Sequence, residues 1–295
     1  MDTTNGKPLI VIVGETASGK TDLAIRIAVN FHGEIICADS STIRQELDIG
    51  TAKPTSSERK KIPHHLLDII NPDEDFSAAE FKKLANRAIT DIHSRNRIPI
   101  LVGGSGLYVD SVLFDYSFLP KSNKKIRDAL NELKLEELRT RANNITGAKL
   151  KHDDLNNRHR LIRLIEVNGI KPEKKTIRKN TLILGIKYTP QEINDRIEKR
   201  MKSMLEKGLE KEVRDLTEKY SWSSPALKSI NYIQWKEYIY GEESYEELCN
   251  KLLKANKHLA KKQRTWFYRN KSIQWISTPV KWSTVVETIT TFLYS

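Results

Sequence analysis

A glycine-rich segment near the start of the chain has the residue types and spacing of a phosphate-binding loop. Its eight residues, Gly14 to Thr21, read GETASGKT and follow an apolar run. In such a loop, consecutive backbone N–H groups surround a polyphosphate, a lysine adds positive charge and the final hydroxyl suits Mg²⁺. The pattern therefore predicts that the chain binds a di- or triphosphate. The residues predicted to hold it are Gly14, Thr16, Ala17, Ser18, Gly19, Lys20 and Thr21, with Thr21 as the Mg²⁺ ligand.

Asp39 is the candidate general base. It follows the strand-like run Glu34–Ala38. In an open α/β sheet the carboxyl ends of the strands line the ligand crevice, so Asp39 should face the same cleft as the phosphate loop. A carboxylate in that position can accept a proton. It can equally cap a turn, and the composition around it does not decide between the two roles.

A second glycine-rich segment follows the strand-like run Ile98–Val102. Residues 103–108 read GGSGLY and offer backbone N–H groups and the Ser105 hydroxyl at a helix start. This segment can either bind an anion or form a tight turn before a capped helix. A nucleotide hydrolase of this fold would normally place a second acid at such a strand end to hold the Mg²⁺ shell. The sequence therefore indicates a phosphate site without the usual signature of hydrolysis.

The elements that must position these residues alternate between strands and helices. Strand-like runs occupy residues 9–13, 34–38, 98–102, 182–187 and 273–276, and helical periodicity occupies residues 77–95 and 190–220. This alternation predicts an α/β fold with a P-loop NTPase-like parallel sheet flanked by helices. A basic, helical stretch interrupts it. We therefore predict a core domain from residues 1–120 and 180–295, and an inserted helical subdomain from residues 121–179.

Positive charge is concentrated in two stretches of the chain. The formal net charge is +12 over 295 residues; residues 121–179 hold 17 basic and 8 acidic side chains, and residues 251–271 hold 8 basic and no acidic ones. Local positive charge beside a phosphate-binding fold indicates a polyanionic partner, with RNA or DNA ahead of a membrane surface. A solvated basic face is the alternative reading.

The remaining composition narrows the class of protein. No stretch approaches the ~20 apolar residues that span a bilayer, and residues 1–7 are too polar for a secretory signal. The two cysteines, Cys37 and Cys249, have neither the number nor the spacing of a zinc site or a disulfide framework. We therefore expect a soluble, cytoplasmic protein without a membrane partner and without a metal other than Mg²⁺, and we expect a monomer.

A series of short motifs runs along almost the whole chain in a specific order. They are Gly14–Thr21, Asp39-Ser40, residues 48–54 (DIGTAKP), 63–68 (PHHLLD), 76–81 (FSAAEF), 103–108, Arg160–Arg163 with Glu166-Val167, Gly208-Leu209 with Glu212-Val213, and residues 260–263 (AKKQ) with Thr265-Trp266. In this order the set resembles the tRNA dimethylallyltransferases, also called isopentenyl-tRNA transferases. The set is far more specific than any single loop.

The resemblance implies transfer of a dimethylallyl group from dimethylallyl diphosphate to the exocyclic amine of the adenosine just 3′ of a tRNA anticodon. The phosphate loop would then hold a leaving group, which agrees with the missing hydrolytic acid. By resemblance, Lys20 and Thr21, through Mg²⁺, stabilise the released diphosphate, Asp39 accepts the amine proton and Ser105 lies near the target nucleotide. The tRNA anticodon stem-loop would contact Asp39, Ser40, Ser41, Thr42, Ser105, Arg127, His159, Arg160, Leu161, Ile162 and Arg163.

Several residues depart from the pattern of the family that the chain resembles. Glu15 stands where the loop usually has proline, Arg44 lies in a segment that usually contains glutamine, an aromatic and glycine, and Asn231 and Asn256 replace a glycine and a threonine. A carboxylate at position 15 would repel a diphosphate unless its side chain points to solvent, as a position in a loop allows. Two other functions stay open: a P-loop transferase or kinase acting on a small molecule such as a free adenine nucleotide, and a non-catalytic RNA-binding protein.

Overall fold

The computed structural model of the chain describes residues 6–119, 123–146, 155–170 and 173–294. These residues form two compact units. The smaller unit spans residues 114–176, and the larger unit contains the described residues on either side of it. The smaller unit overlaps the insertion predicted at residues 121–179, although it begins earlier in the chain. The parts of that insertion at residues 121–122, 147–154 and 171–172 lie outside the described residues.

A six-stranded parallel sheet forms the centre of the larger unit. The strands are β1 Leu9–Gly14, β2 Gly33–Cys37, β3 His64–His65, β4 Ile98–Gly103, β5 Thr181–Lys187 and β6 Ile273–Ser277. Their order across the sheet is β3-β2-β4-β1-β5-β6, and every neighbouring pair is parallel. The predicted α/β fold with a parallel sheet is therefore confirmed. The sequence pattern did not predict β3, because two residues are too few to show a period.

Helices flank the sheet and also build the smaller unit. In chain order they are α1 Lys20–Asn30, α2 Ser56–Lys61, α3 Ala78–Ser94, α4 Gly106–Leu113, α5 Lys124–Glu132, α6 Leu135–Thr146, α7 Arg158–Glu166, α8 Pro190–Glu206, α9 Leu209–Lys219, α10 Lys236–Ile239, α11 Tyr245–Phe267 and α12 Trp282–Tyr294. None of these helices combines the length and the apolar character that crossing a membrane requires, within the residues described.

Local sequence explains where the long helices start and stop. Ser77, Thr189 and Ser244 each cap the first turn of α3, α8 and α11, and each pairs reciprocally with a glutamate three residues later. The predicted helix over residues 77–95 agrees with α3. The single helical stretch predicted over residues 190–220 is wrong in one respect, because it is two helices that break at Gly208, where φ is +94°.

Clusters of buried side chains hold the described elements together, and three of them are defined by the elements that they join. The first joins strands β1, β2, β4 and β5 to α1 and α12, and the second joins α8, α9 and α11 around Tyr232 and Trp235. The strands read as continuous apolar runs because helices cover both faces of a parallel sheet. The third cluster lies inside the smaller unit, between α5, α6 and α7. Each unit therefore has its own core.

Candidate functional site

A cleft of about 650 Å³ opens at the carboxyl ends of β1, β2 and β4 in the larger unit. The phosphate loop, the segment after β2 and the second glycine-rich segment meet on its walls, as the sheet topology requires. Gly14, Ala17, Ser18 and Gly19 complete the phosphate loop without lining the cleft. The predicted site residues on the walls are Thr16, Lys20, Thr21, Asp39, Ser40, Ser41, Thr42 and Ser105.

The phosphate loop has polar groups arranged for an anion. Gly19 has a φ of +83°, a conformation that favours glycine, and turns the chain into α1. The Lys20 Nζ donates a hydrogen bond to the carbonyl of Glu15 at 2.6 Å. Burial lowers the pKa of Lys20 to about 8, although the nearby carboxylate of Asp39 favours its charged form. The Ser18 hydroxyl is buried and has no hydrogen-bond partner within the described part of the chain.

Arg200 is a second cation in the cleft, and the sequence did not predict it. It projects from α8, where its Nη1 donates to the Thr16 hydroxyl at 2.7 Å and its Nη2 donates to the Thr51 carbonyl at 3.3 Å. Burial lowers the pKa of the guanidinium, and Asp39 opposes that shift. No local signal distinguishes this arginine from the other charges of α8, because its partner Thr16 is distant in sequence. Only the tertiary fold brings the two together.

Hydrogen bonds within the segment after β2 orient Asp39. The Ser41 N–H donates to Asp39 Oδ1 at 2.9 Å, whereas Oδ2 accepts no hydrogen bond from the described residues. The Ser40 N–H donates to the Ser105 hydroxyl at 2.9 Å, and this hydroxyl lies 3.2 Å from that of Ser40. The Thr42 hydroxyl is turned back to the Asp39 carbonyl at 3.4 Å. The arrangement leaves one carboxylate oxygen of Asp39 available to a ligand in the cleft.

The second glycine-rich loop is shaped by close packing. A Cβ at Gly103 would overlap the carbonyl oxygen of Ala38, one at Gly104 would overlap the side-chain amide of Gln263, and one at Gly106 would overlap the Trp266 ring. The Ser105 N–H donates to the Ala38 carbonyl at 3.3 Å, so this amide is not directed at an anion. Of the two roles that the sequence left open, the structure therefore favours a tight turn before α4.

Helix α11 contributes side chains to both glycine-rich loops. The Thr16 N–H donates to Gln263 Oε1 at 2.7 Å, and Gln263 Nε2 donates to the Gly104 carbonyl at 3.1 Å. The Trp266 Nε1 donates to Asp110 Oδ2 on α4 at 3.1 Å. The motif 260–263 with Thr265-Trp266 was recognised in the sequence, but it carried no predicted site residue. The fold gives the end of this basic segment a role in holding the cleft.

Glu15 does not point to solvent, the orientation that a loop position would allow. Its side chain is buried and faces α11, where both carboxylate oxygens lie 3.3–3.4 Å from Arg264 Nη1. Burial raises the pKa of Glu15, whereas Arg264 and Lys20 lower it. The arginine supplies a positive charge beside the carboxylate. Repulsion between Glu15 and a bound diphosphate is therefore reduced by pairing rather than by exposure.

Arg44 has a structural role in the larger unit. Its guanidinium is buried, which lowers its pKa, and Nη1 donates to three backbone carbonyls of the loop after β3. These acceptors are the carbonyl oxygens of Asn71, Pro72 and Glu74, at 3.3, 3.2 and 2.6 Å. Because the cation is committed to this loop, it does not project into the cleft as an extra base-contacting group.

Asn231 and Asn256, which both depart from the family pattern, contact each other. Asn256 Nδ2 donates to Asn231 Oδ1 at 2.6 Å, and Asn231 Nδ2 donates to the Gly50 carbonyl at 2.7 Å. Asn231 has a φ of +75°, a conformation in which asparagine is tolerated better than most residues other than glycine. The two changes therefore form one buried hydrogen-bonded pair on the cleft wall.

The candidate tRNA-binding residues of the smaller unit divide into three groups. His159 and Arg160 are exposed. Arg127 forms a two-point ion pair with Glu166, at 2.7 and 3.1 Å, and Arg163 lies 3.4 Å from the same carboxylate. Leu161 and Ile162 lie in the core of this unit with 1% and 2% exposure, so their side chains face the other helices of the unit. They hold α7 in place, because a helix needs an apolar face to pack.

Comparisons with known proteins give consistent similarities. The family model described as IPP transferase matches residues 43–271. A tRNA dimethylallyltransferase from Staphylococcus aureus is 38% identical over 285 residues, covering 91% of this chain and 92% of that protein. The crystal structure of a tRNA delta(2)-isopentenylpyrophosphate transferase from Staphylococcus epidermidis covers 97% of this chain and 98% of its own, with 36% identity and a TM-score of 0.72. The crystal structure of a eukaryotic dimethylallyltransferase acting on tRNA covers 97% of this chain and 78% of its own, with 25% identity and a TM-score of 0.79.

Proposed function

Because the chain belongs to the IPP transferase family, we propose that it transfers a dimethylallyl group from dimethylallyl diphosphate to the exocyclic amine of the adenosine 3′ of a tRNA anticodon. The observation that carries the proposal is the presence of Lys20, Arg200 and Asp39 on the walls of one cleft. Two cations suit a diphosphate leaving group, and a carboxylate suits proton removal from the attacking amine. The comparisons do not support the small-molecule alternative.

The proposed reaction assigns a distinct task to each side of the cleft. The amine nitrogen forms a bond to the first carbon of the dimethylallyl group, and the carbon–oxygen bond to the diphosphate breaks with its electron pair going to oxygen. Lys20, Arg200 and the loop amides stabilise the charge that develops on the diphosphate. Asp39 accepts the amine proton at Oδ2, since Ser41 holds Oδ1. The adenosine reaches the cleft by leaving its stack in the anticodon loop.

Mg²⁺ fits the residues of the phosphate loop. Thr21 presents a hydroxyl oxygen on the cleft wall at the start of α1. Within the described residues, no group of three or more His, Cys, Asp or Glu side chains forms an all-protein metal site. Mg²⁺ is usually bound by one or two protein ligands together with substrate phosphates. When bound, the ion would add positive charge beside the leaving oxygens.

We propose that the anticodon stem-loop contacts the smaller unit through exposed basic side chains, with His159 and Arg160 as the best placed of the candidates on α7. Such contacts neutralise backbone phosphates and make binding salt-dependent. Arg127 and Arg163 would contribute through the ion pair with Glu166 that fixes the end of the same helix. We further propose that the protein acts as a monomer in the cytoplasm without a membrane partner.

Mass spectrometry of nucleosides tests the proposed function. The purified protein is incubated with Mg²⁺ and dimethylallyl diphosphate, and with either unmodified tRNA or AMP as the acceptor. We expect the mass of one dimethylallyl group on a tRNA adenosine. Prenylated AMP without prenylated tRNA would instead support a transferase that acts on small-molecule acceptors. Tight tRNA binding without any product would instead favour a non-catalytic RNA-binding protein.

The variant Asp39→Ala tests the assignment of the base in the same assay. We expect turnover to fall by about 10²- to 10⁴-fold with tRNA affinity nearly unchanged, because the carboxylate acts on the proton rather than on RNA binding. Asp195→Ala is the matched control, since it makes the same chemical change at an exposed position on α8 outside the cleft. Unchanged turnover of Asp39→Ala would exclude Asp39 as the base.

A further inference from the structure

Gln263 connects the two glycine-rich loops through a single side chain. Its Oε1 accepts from the Thr16 N–H at 2.7 Å, and its Nε2 donates to the Gly104 carbonyl at 3.1 Å. The residue is 9% exposed and projects from α11, which follows both loops in the chain by more than 100 residues. The two bonds use the acceptor and a donor of the same planar amide.

The surroundings of Gln263 are built to admit this side chain. A Cβ at Gly104 would overlap its amide, so the glycine provides the space that the contact requires. Buried amides are costly unless they are hydrogen-bonded, and here both ends of the amide have a partner. Among uncharged side chains of this length, only glutamine offers an acceptor and a donor together. The contact is therefore specific in both shape and chemistry.

The two loops that Gln263 joins lie on opposite sides of the proposed reaction. On the donor side, the Thr16 hydroxyl also accepts from Arg200 at 2.7 Å. On the acceptor side, Ser105 follows Gly104, and its hydroxyl accepts from the Ser40 N–H next to Asp39 at 2.9 Å. A continuous series of contacts therefore runs from the cations of the diphosphate site, through Gln263, to the segment that carries the base.

We propose that Gln263 is a positioning residue that sets the distance between the diphosphate site and the acceptor site. This inference rests on the proposed function. Group transfer needs the amine nitrogen and the attacked carbon about 3–3.5 Å apart, and a misplacement of about 1 Å costs on the order of 10²-fold in rate. Gln263 lines the cleft, but both polar atoms of its amide are bonded to the two loops rather than directed at a ligand. Its loss should therefore lower the rate of transfer while each substrate still binds.

The Gln263 amide also limits which groups hold the diphosphate. The Thr16 N–H is occupied by Gln263 Oε1, so Lys20 and Thr21 are the residues of this loop on the cleft wall that remain for phosphate oxygens. This arrangement places the leaving group further along the loop toward α1, beside Thr21. A donor seated one residue earlier would lie at a different distance from Asp39. The hydrogen bond between Thr16 and Gln263 therefore helps to set where the diphosphate binds along the loop.

Single-turnover kinetics of Gln263→Met tests the proposal, because methionine keeps the length of the side chain and removes both hydrogen bonds. We expect the transfer rate with both substrates bound to fall about 10- to 100-fold. The dissociation constants for dimethylallyl diphosphate and for tRNA should each stay within about threefold of the original protein. The matched control is Gln274→Met, which makes the same chemical change at an exposed position on β6.

Gln263→Glu provides a second readout that keeps the test valid if the methionine variant does not fold. A carboxylate still accepts from Thr16 but cannot donate to Gly104, whereas a protonated carboxyl group can do both. We expect the rate of this variant, divided by that of the original protein at the same pH, to rise as the pH falls. A role confined to folding would leave this ratio constant with pH.

Defined results would overturn the proposal. An unchanged transfer rate in Gln263→Met, or a loss that appears only in the affinity for dimethylallyl diphosphate, would show that Gln263 does not position the two sites. A ratio for Gln263→Glu that does not vary with pH would do the same. If the original protein itself forms no prenylated adenosine, the proposed function fails, and that result is distinguishable from failure of this inference.

Discussion

The two glycine-rich loops at the ends of the neighbouring strands β1 and β4 use glycine for different physical reasons. In the phosphate loop, Gly19 adopts a φ of +83°, and a Cβ there would meet only ordinary contacts. In the loop after β4, Gly103 and Gly104 have no such φ, but a Cβ would overlap Ala38 or Gln263. The first loop needs an unusual backbone conformation, whereas the second needs space.

The two loops therefore contribute to the cleft in different ways. The phosphate loop presents polar groups directly to the ligand, with the half-buried Lys20 as a cation and Thr21 as a hydroxyl on the cleft wall. The loop after β4 is bonded mainly to protein, through Ala38, Ser40 and Gln263. We therefore expect substitutions in the first loop to alter chemistry and substitutions in the second loop to alter stability and geometry.

The largest expected effect is that of Lys20→Met on the reaction. Loss of one charged group that stabilises a leaving oxygen should lower the single-turnover rate by about 10²- to 10³-fold. The free energy of unfolding should not fall, because burial already disfavours the charged lysine, as its lowered pKa indicates. Urea unfolding and single-turnover kinetics measure both quantities, with Lys83→Met as an exposed control on α3. A strong loss of stability with a normal rate would remove the distinction between the loops.

Gly103→Ala and Gly19→Ala compare the two uses of glycine directly. We expect Gly103→Ala to destabilise the fold by about 3 kcal/mol or more, since the new methyl group meets backbone that cannot move aside. Gly19→Ala should cost about 1–2 kcal/mol, which is the penalty of a left-handed conformation for a residue with a Cβ. Urea unfolding measures the two values. Equal values, or the reverse order, would contradict the assignment.

The same contrast explains what the sequence could predict. Lys20, Thr21 and Asp39 were predicted because each lies within or directly after a local pattern at a strand end, and the topology of a parallel sheet brings such ends together. Arg200 and Gln263 were not predicted as site residues, because each acts on Thr16 from a helix far along the chain. Local periodicity contains no information about that partner.

Two other features of the structure also depend on contacts that the local sequence does not show. Glu15 lies in a loop and has no partner nearby in the sequence, and only the packing of α11 brings Arg264 to its carboxylate. Leu161 and Ile162 stand among basic residues in the sequence, and in the fold they form the apolar face of α7. The fold was more predictable than the site, because apolar strand runs and capping boxes are local in sequence.

A dependence on pH should follow from the lowered pKa of Lys20. Its pKa of about 8 means that the lysine loses its charge as the pH rises through 8, so the dissociation constant for dimethylallyl diphosphate should increase about tenfold between pH 7 and pH 9. Equilibrium binding measures this, and Lys20→Met should abolish the dependence.

The stability of the unliganded protein should instead increase with pH over part of this range. Because the folded pKa lies below the unfolded value of 10.5, this group adds stability as the pH rises from 8 toward 10.5.

Ser105→Ala should give the smallest effect among these substitutions, because it removes only a hydroxyl group from the second loop. The hydroxyl of Ser105 accepts from the Ser40 N–H, and loss of one neutral hydrogen bond costs about 1 kcal/mol, or roughly fivefold. If the loop acts by placing the Asp39 segment, this loss should appear in the single-turnover rate, with the affinity for dimethylallyl diphosphate unchanged. Ser111→Ala is the control, since its hydroxyl bonds a carbonyl within α4. A rate loss of 10²-fold or more would instead mean that the Ser105 hydroxyl touches the reacting groups. In that case the second loop, like the first, would take part directly in the chemistry.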